Sequence, residues 1–82
     1  MEEHIRITAW LTETAKLLVD TPEAVAVRLT TTEPPTLHLS VSPTDIGKIV
    51  GKQGRMARSL RTILGAIGMA TGQRYALDIS AA

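Results

Sequence analysis

Two glycines, Gly51 and Gly54, constrain the fold of this 82-residue chain more than any other feature. Apolar residues recur at helical spacing before and after the pair, and two glycines so close together end one helix before another begins. The first of these helices is predicted to be short. Ser42 and Pro43 mark its start as the cap and the first helical residue, and it can run only to about Val50.

The second helix is predicted to be longer, from about Arg55 to the glycine stop at Thr71–Gly72. One face of this helix is expected to pack on the core, and its apolar residues are Met56, Leu60, Ile63, Leu64 and Ile67. Beyond the stop, the alternation of Tyr75, Leu77 and Ile79 predicts a last strand.

The first half of the chain predicts a helix followed by a β-hairpin. Residues 3–19 carry apolar side chains at steps of three and four, and residues 20–22 interrupt that helix at a proline. Apolar and polar residues then alternate over residues 25–30 and again over residues 37–42, with a turn at residues 33–35. The order helix, strand, strand, helix, helix, strand predicts an α+β fold, with a three-stranded sheet covered on one face by helices.

A chain of this length fits one domain, which should bury roughly 60–65% of its unfolded surface. We predict a single domain over residues 1–82, with the N-terminal helix and hairpin in residues 1–42 and the two later helices and last strand in residues 43–79. The absence of Cys favours a reducing compartment. The charged start, Met1-Glu2-Glu3, lacks the pattern of a signal peptide, so we expect a soluble, cytoplasmic protein.

The charges of the two halves differ in sign. Residues 1–42 hold three basic and six acidic residues, a formal charge of −3, whereas residues 43–82 hold six basic and two acidic residues, a formal charge of +4. Five of the six cations in the second half fall between Lys48 and Arg61, with no acid among them. A local positive field is therefore expected around the glycine pair, where it would attract an anionic partner.

The spacing of the glycine loop excludes the common nucleotide-binding loops. A P-loop needs four residues between its glycines, but only three separate Gly47 from Gly51. Gln53 also follows Lys52 where a P-loop requires a hydroxyl that binds magnesium. The dinucleotide fingerprint fails as well, since no two glycines of the loop are separated by a single residue.

The segment resembles the GxxG loop of KH domains, whose wider pattern Val/Ile-Ile-Gly-x-x-Gly-x-x-Ile is matched by Ile49, Val50, Gly51 and Gly54. Ala57 departs from the last apolar position of that pattern. The order of elements resembles the type II KH arrangement, and over essentially its whole length the chain is similar to the small bacterial KhpA-type family. The resemblance implies a non-catalytic RNA chaperone or post-transcriptional regulator that pairs with itself or with a larger KH-containing protein.

The loop has a physical rationale apart from this resemblance. Glycines let the backbone approach a sugar-phosphate chain closely, and the helix that starts at Arg55 offers a phosphate its first amides and the positive end of its dipole. Lys52 adds a mobile charge. We predict that single-stranded RNA contacts the loop and its flanks, with apolar side chains as a floor for the bases, at Ile46, Lys48, Ile49, Val50, Gly51, Lys52, Gln53, Gly54, Arg55 and Arg58.

Several of these residues also have a purely structural explanation. A glycine pair alone would indicate a turn between helices, and here Lys52 and Gln53 together with the flanking match favour a binding loop. Lys48 fits either role equally. The three apolar residues before the loop fit either a floor for bases or the core, and Arg61, farther along the helix, is better explained as part of a solvated face.

A second hypothesis is a protein-interaction module with little RNA binding of its own. The long helix is apolar almost all round, and small residues among its large ones permit the close approach of another helix. We predict a dimer through this helix, with contacts at Ile63, Gly65, Ile67 and Gly68. The two hypotheses are compatible, since two loops joined in one dimer would bind RNA more tightly through avidity.

The sequence indicates no catalytic or metal site. His4 lies near the terminus and His38 at an alternate position of a strand, and neither has an acid or hydroxyl spaced to suggest a catalytic triad. The carboxylates are scattered over separate elements. We therefore expect no enzymatic activity, no cofactor, no metal and no small-molecule substrate.

Overall fold

The computed structural model describes residues 2–82, so Met1, the first residue of the predicted domain, lies outside it. The elements are, in chain order, α1 (Glu2–Leu18), β1 (Ala26–Thr30), β2 (Thr36–Val41), α2 (Ile46–Val50), α3 (Arg55–Thr71) and β3 (Ala76–Ala81). This order confirms the predicted sequence of helices and strands. Within residues 2–82, no helix combines the length and the apolar character needed to cross a membrane.

The three strands form one sheet in the order β1-β2-β3. β1 and β2 pair as an antiparallel hairpin, with Val27 opposite Leu39, and β3 lies parallel to β2, with Ile79 beside Leu39. Parallel neighbours need a long connection, which α2 and α3 supply. The glycine loop, between α2 and α3, therefore lies in the middle of the crossover that links the two parallel strands.

The core lies between one face of the sheet and the helices. β2 provides its centre, because Leu37, Leu39 and Val41 are fully buried while the intervening His38 and Ser40 are partly exposed. The helices add a buried set that consists of Ile7, Leu11, Ala15, Ile49, Leu60 and Leu64. The three-stranded sheet with helices on one face confirms the predicted α+β fold.

The start of α2 differs from the predicted side-chain cap. The Ser42 hydroxyl lies 3.1 Å from Thr44 Oγ1, and within the described chain it makes no capping hydrogen bond. A 3₁₀ turn over Pro43–Asp45 leads into α2 instead, and the Asp45 N–H donates to the Ser42 carbonyl oxygen at 2.8 Å. A backbone hydrogen bond thus takes the place of the cap.

The buried face of α3 also differs in part from the prediction. Its fully buried residues are Ala57, Leu60, Leu64 and Gly68, which follow one another at steps of three and four. The assignment of Ile63 to this face is wrong, since 44% of its surface is exposed. Ile63 lies about 100° around the helix from Leu64, and that rotation takes it to the edge of the buried face.

Candidate functional site

The glycine loop is a tight turn that only its glycines allow. The Gly51 N–H donates to the Gly47 carbonyl oxygen at 2.8 Å and ends α2, and the Gly54 N–H donates back to Gly51 at 3.1 Å. Gly51 has a φ of 79°, and a Cβ there would lie 2.7 Å from Cβ of Met56. Any side chain at position 51 would collide with the first turn of α3, so this glycine determines how closely the two helices approach.

The two residues between the glycines point their side chains into solvent. Lys52 and Gln53 are both exposed, and Gln53 adopts a left-handed conformation with a φ of 56°. This conformation is uncommon for a residue other than glycine. The Gln53 Oε1 accepts a hydrogen bond of 3.3 Å from Nη2 of Arg55, so the loop and the first residue of α3 are linked at the surface.

The start of α3 is suited to bind an anion. Gly54, the residue before the helix, has no side chain that could accept hydrogen bonds from the first-turn amides, and that turn contains no acid. Arg55 and Arg58 are exposed and lie one turn apart on the same side. Together with Lys52, they place three cations around the positive end of a 17-residue helix.

Lys48 is held in a different way from Lys52. Its Nζ lies 3.0 Å from Oδ2 of Asp20 and 3.7 Å from Oδ1 of Asp45. The hydrogen bond with Asp20 and the charge of that carboxylate raise the pKa of Lys48. The structure thus shows Lys48 as the partner of two carboxylates.

The three apolar residues before the loop divide between surface and core. Ile49 is fully buried in the core, so its prediction as part of a floor for bases is wrong: in a five-residue helix, the side chain opposite the solvent face must hold the helix in place. Of the three, Ile46 and Val50 are half-buried and present apolar surface beside the loop.

Asp45 is an important residue of this region that sequence reasoning missed. Only 1% of its surface is exposed, and its carboxylate accepts hydrogen bonds from the backbone N–H groups of Asp20, at 3.2 Å, and Thr21, at 3.0 Å. These bonds attach the start of the loop-bearing helix to the end of α1. The sequence showed an acid in a first helical turn, but its partners lie 24 and 25 positions away in the chain.

Arg61 and Gly68 make contacts within the domain. Arg61 Nη2 donates to the Leu77 carbonyl oxygen at 3.3 Å, in agreement with a role other than RNA contact. Gly68 was predicted at a dimer contact, but it is buried, and a Cβ there would collide with the Gln73 carbonyl oxygen. The space beside Gly68 is filled by the turn that follows α3, where the Gln73 N–H donates to the Gly68 carbonyl oxygen at 2.9 Å.

The other residues predicted for that contact remain accessible to different degrees. Ile63 and Gly65 are exposed and Ile67 is half-buried. Met69 is also exposed, and it extends the apolar surface toward the end of α3. This part of α3 therefore presents apolar surface that begins at the edge of its buried face.

The two histidines have structural partners. His4 packs edge-on against the ring of Tyr75, with ring centroids 5.7 Å apart. His38 lies beside Asp78 on the neighbouring strand, with Nδ1 3.4 Å from Oδ2. Neither histidine lies in the glycine loop.

A family model described as the KH domain of KhpA/KhpB matches residues 8–79. The proteins named RNA-binding protein KhpA are similar over most of their length. The one from Aquifex aeolicus is 48% identical over 67 residues, which cover 80% of this chain and 85% of that protein. Those from Treponema pallidum and Clostridium acetobutylicum are 47% and 44% identical over 66 residues, and each match covers 79% of this chain and more than four fifths of the relative.

Solved structures of Era share the fold. A crystal structure of Aquifex aeolicus Era matches 93% of this chain with a TM-score of 0.63 at 14% identity, and the match spans 30% of the Era chain. Era in complex with MgGDPNP and a segment of 16S ribosomal RNA gives a TM-score of 0.61 at 15% identity, over 92% of this chain and 29% of that one. At this level of identity, the likeness concerns the fold alone.

Proposed function

The chain belongs to the KhpA/KhpB family of KH domains, and on that premise we propose that it binds single-stranded RNA through the loop of residues 51–54, without catalysing a reaction. The observation that carries the proposal is the loop itself. Its glycines turn the backbone at the start of α3, and Lys52, Arg55 and Arg58 surround that start with exposed positive charge. The relatives are named as RNA-binding proteins, which supports RNA as the anionic partner.

Binding would begin with the phosphates. The backbone of a single strand can lie against the glycines, where the positive end of the α3 dipole attracts phosphate and the three cations neutralise its charge. A lysine suits a contact that need not be precisely oriented, and an arginine can donate two hydrogen bonds to one phosphate.

The bases would meet a small apolar surface. Ile46 and Val50 are half-buried apolar residues beside the loop. Trp10 and Tyr75, the two aromatic residues other than histidine, pack against the core, so aromatic stacking contributes little. We therefore propose modest sequence preference, as suits an RNA chaperone or post-transcriptional regulator. A cytoplasmic location fits this partner and a chain without cysteine.

A single substitution tests the loop. Gln53→Asp puts a negative charge at the exposed tip, and the fold should tolerate it because Asp adopts the left-handed conformation more readily than most residues. We expect it to weaken binding of a labelled, mixed-sequence single-stranded RNA at least about tenfold. Gln53→Asn is the matched control, since it shortens the side chain equally without adding charge. Thermal melting would verify that all three proteins are equally folded.

A salt series on the same RNA tests the phosphate contacts. Three cations at the loop predict a slope of log K against log [salt] of about −2 for the wild-type protein. If Gln53→Asp and wild type bind equally, or neither binds RNA, the loop has a structural role only and the proposal fails.

A second function, dimerisation through α3, is favoured by a separate observation. Ile63 and Met69 are large apolar side chains exposed on α3, and the exposed Gly65 and Ala66 between them are small enough to let another helix approach closely. We propose that this surface, with Ile67 at its border, binds a second copy of the chain or a larger KH-containing protein. Gly68 takes no part, because it is buried within its own chain.

A further inference from the structure

Lys48 lies between two carboxylates, three residues before the glycine loop. Nζ is 3.0 Å from Asp20 and 3.7 Å from Asp45, so one positive charge faces two negative ones and the cluster has a formal charge of −1. Lys52, four residues later, makes no ion pair in the part of the chain that the structure describes. The cluster on the α2 side of the loop is therefore negative on balance, whereas the α3 side is basic.

The two carboxylates differ in what they do for the fold. The Asp45 carboxylate is buried and accepts the N–H groups of Asp20 and Thr21, so its removal would leave two donors without their partner. The Asp20 side chain is 79% exposed, and its carboxylate pairs with Lys48. The bond from Asp20 to Asp45 uses the backbone N–H of Asp20, so a change of the Asp20 side chain would leave that bond intact.

We propose that Asp20 withholds Lys48 from RNA and so directs the strand along Lys52, Arg55 and Arg58. This inference rests on the proposed RNA-binding function. A phosphate that approached Lys48 would have to displace the Asp20 carboxylate and would still face the buried charge of Asp45. The strand would meet three available cations on the other side of the loop without such repulsion. Because exposed ion pairs stabilise folded proteins little, removing the Asp20 charge should leave the melting temperature nearly unchanged.

The test is Asp20→Asn in the full chain, with the mixed-sequence RNA and the salt series described above. Freed from Asp20, Lys48 becomes able to contact a phosphate. We expect affinity at low salt to rise about two- to fivefold and the salt slope to become steeper by about 0.7, the value of one more phosphate contact with a single strand. A purely structural role for Asp20 would leave the salt slope unchanged.

Two further variants separate Lys48 from a general effect of charge. Glu23→Gln removes the same charge from an exposed acid close to Asp20 in the chain, and it should leave affinity and slope nearly unchanged. In a Lys48→Gln background, Asp20→Asn should no longer tighten binding, because the cation it frees is absent. The inference is overturned if the gain persists without Lys48, if Glu23→Gln gives the same gain, or if Asp20→Asn gives none.

The loop variant keeps the two proposals distinguishable. If Gln53→Asp weakens binding while Asp20→Asn changes neither affinity nor slope, the role of Asp20 is refuted and the RNA-binding proposal stands. If Gln53→Asp binds as wild type does, the proposed function fails, and the role assigned to Asp20 fails with it.

Discussion

The two ends of α3 expose opposite chemistry, although one continuous helix joins them. At the N-terminal end, Arg55 and Arg58 flank a glycine loop, and the exposed residues are polar or charged. Toward the C-terminal end, the exposed residues include Ile63 and Met69. There the chain turns back after α3, and the Gln73 N–H donates to the Gly68 carbonyl oxygen. A single element can thus offer a charged end to a polyanion and an apolar flank to a protein, which makes the two proposed functions separable by substitution.

The largest expected effect concerns the glycines of the C-terminal part. Gly68→Ala should lower the free energy of unfolding by about 2 kcal/mol, because the new Cβ meets the Gln73 carbonyl oxygen and the turn after α3 must move. Gly65→Ala is the matched control, since a Cβ there meets nothing within 4 Å and alanine favours the helix by up to about 1 kcal/mol. Urea denaturation measures both. Equal stability of the two variants would show that the end of α3 is not packed in this way.

The next effect separates the apolar flank from the charged end. Ile63→Glu should weaken self-association by about tenfold or more, because a charge replaces an apolar side chain at the proposed contact. Sedimentation equilibrium measures the association, and RNA binding by the monomer should remain. Ile5→Glu provides the control, because it makes the same change at an isoleucine that is 63% exposed on α1. The proposed surface would be contradicted if Ile63→Glu left self-association unchanged, or if Ile5→Glu weakened self-association as much as Ile63→Glu does.

The smallest effect concerns Tyr75, beside the C-terminal part of α3. Its hydroxyl is buried and finds no hydrogen-bond partner within residues 2–82, and burial raises its pKa. Tyr75→Phe removes a buried polar atom that makes no bond, so the free energy of unfolding should not fall and should rise by up to about 1 kcal/mol. RNA affinity should not change. A clear fall in the free energy of unfolding would mean that the Tyr75 hydroxyl has a hydrogen-bond partner, for example across the dimer contact.

The elements and the loop could be predicted because their signals are local. Alternation identified the strands, and Gly51 and Gly54 identified the boundary between α2 and α3, which depends on backbone conformation within a few residues. The start of α3 near Arg55 and its stop at Gly72 were predicted for the same reason.

The burial of individual side chains could not be predicted in the same way. Asp45 is buried because the chain after α1 brings backbone donors to its carboxylate. Ile49 is buried because α2 packs against the core. Gly68 is enclosed by residues beyond the end of its own helix. Each of these outcomes depends on how elements pack, and the spacing of residues within one element carries no information about it.

The most direct test of the central proposal is a titration of the ¹⁵N-labelled protein with mixed-sequence single-stranded RNA, followed through its backbone amide NMR signals. We expect the largest shifts at residues 51–58, at the loop and the first turn of α3, and little change at residues 66–73. If the largest shifts fall at residues 66–73 and the loop signals do not move, RNA binds elsewhere and the proposed role of the glycine loop is wrong.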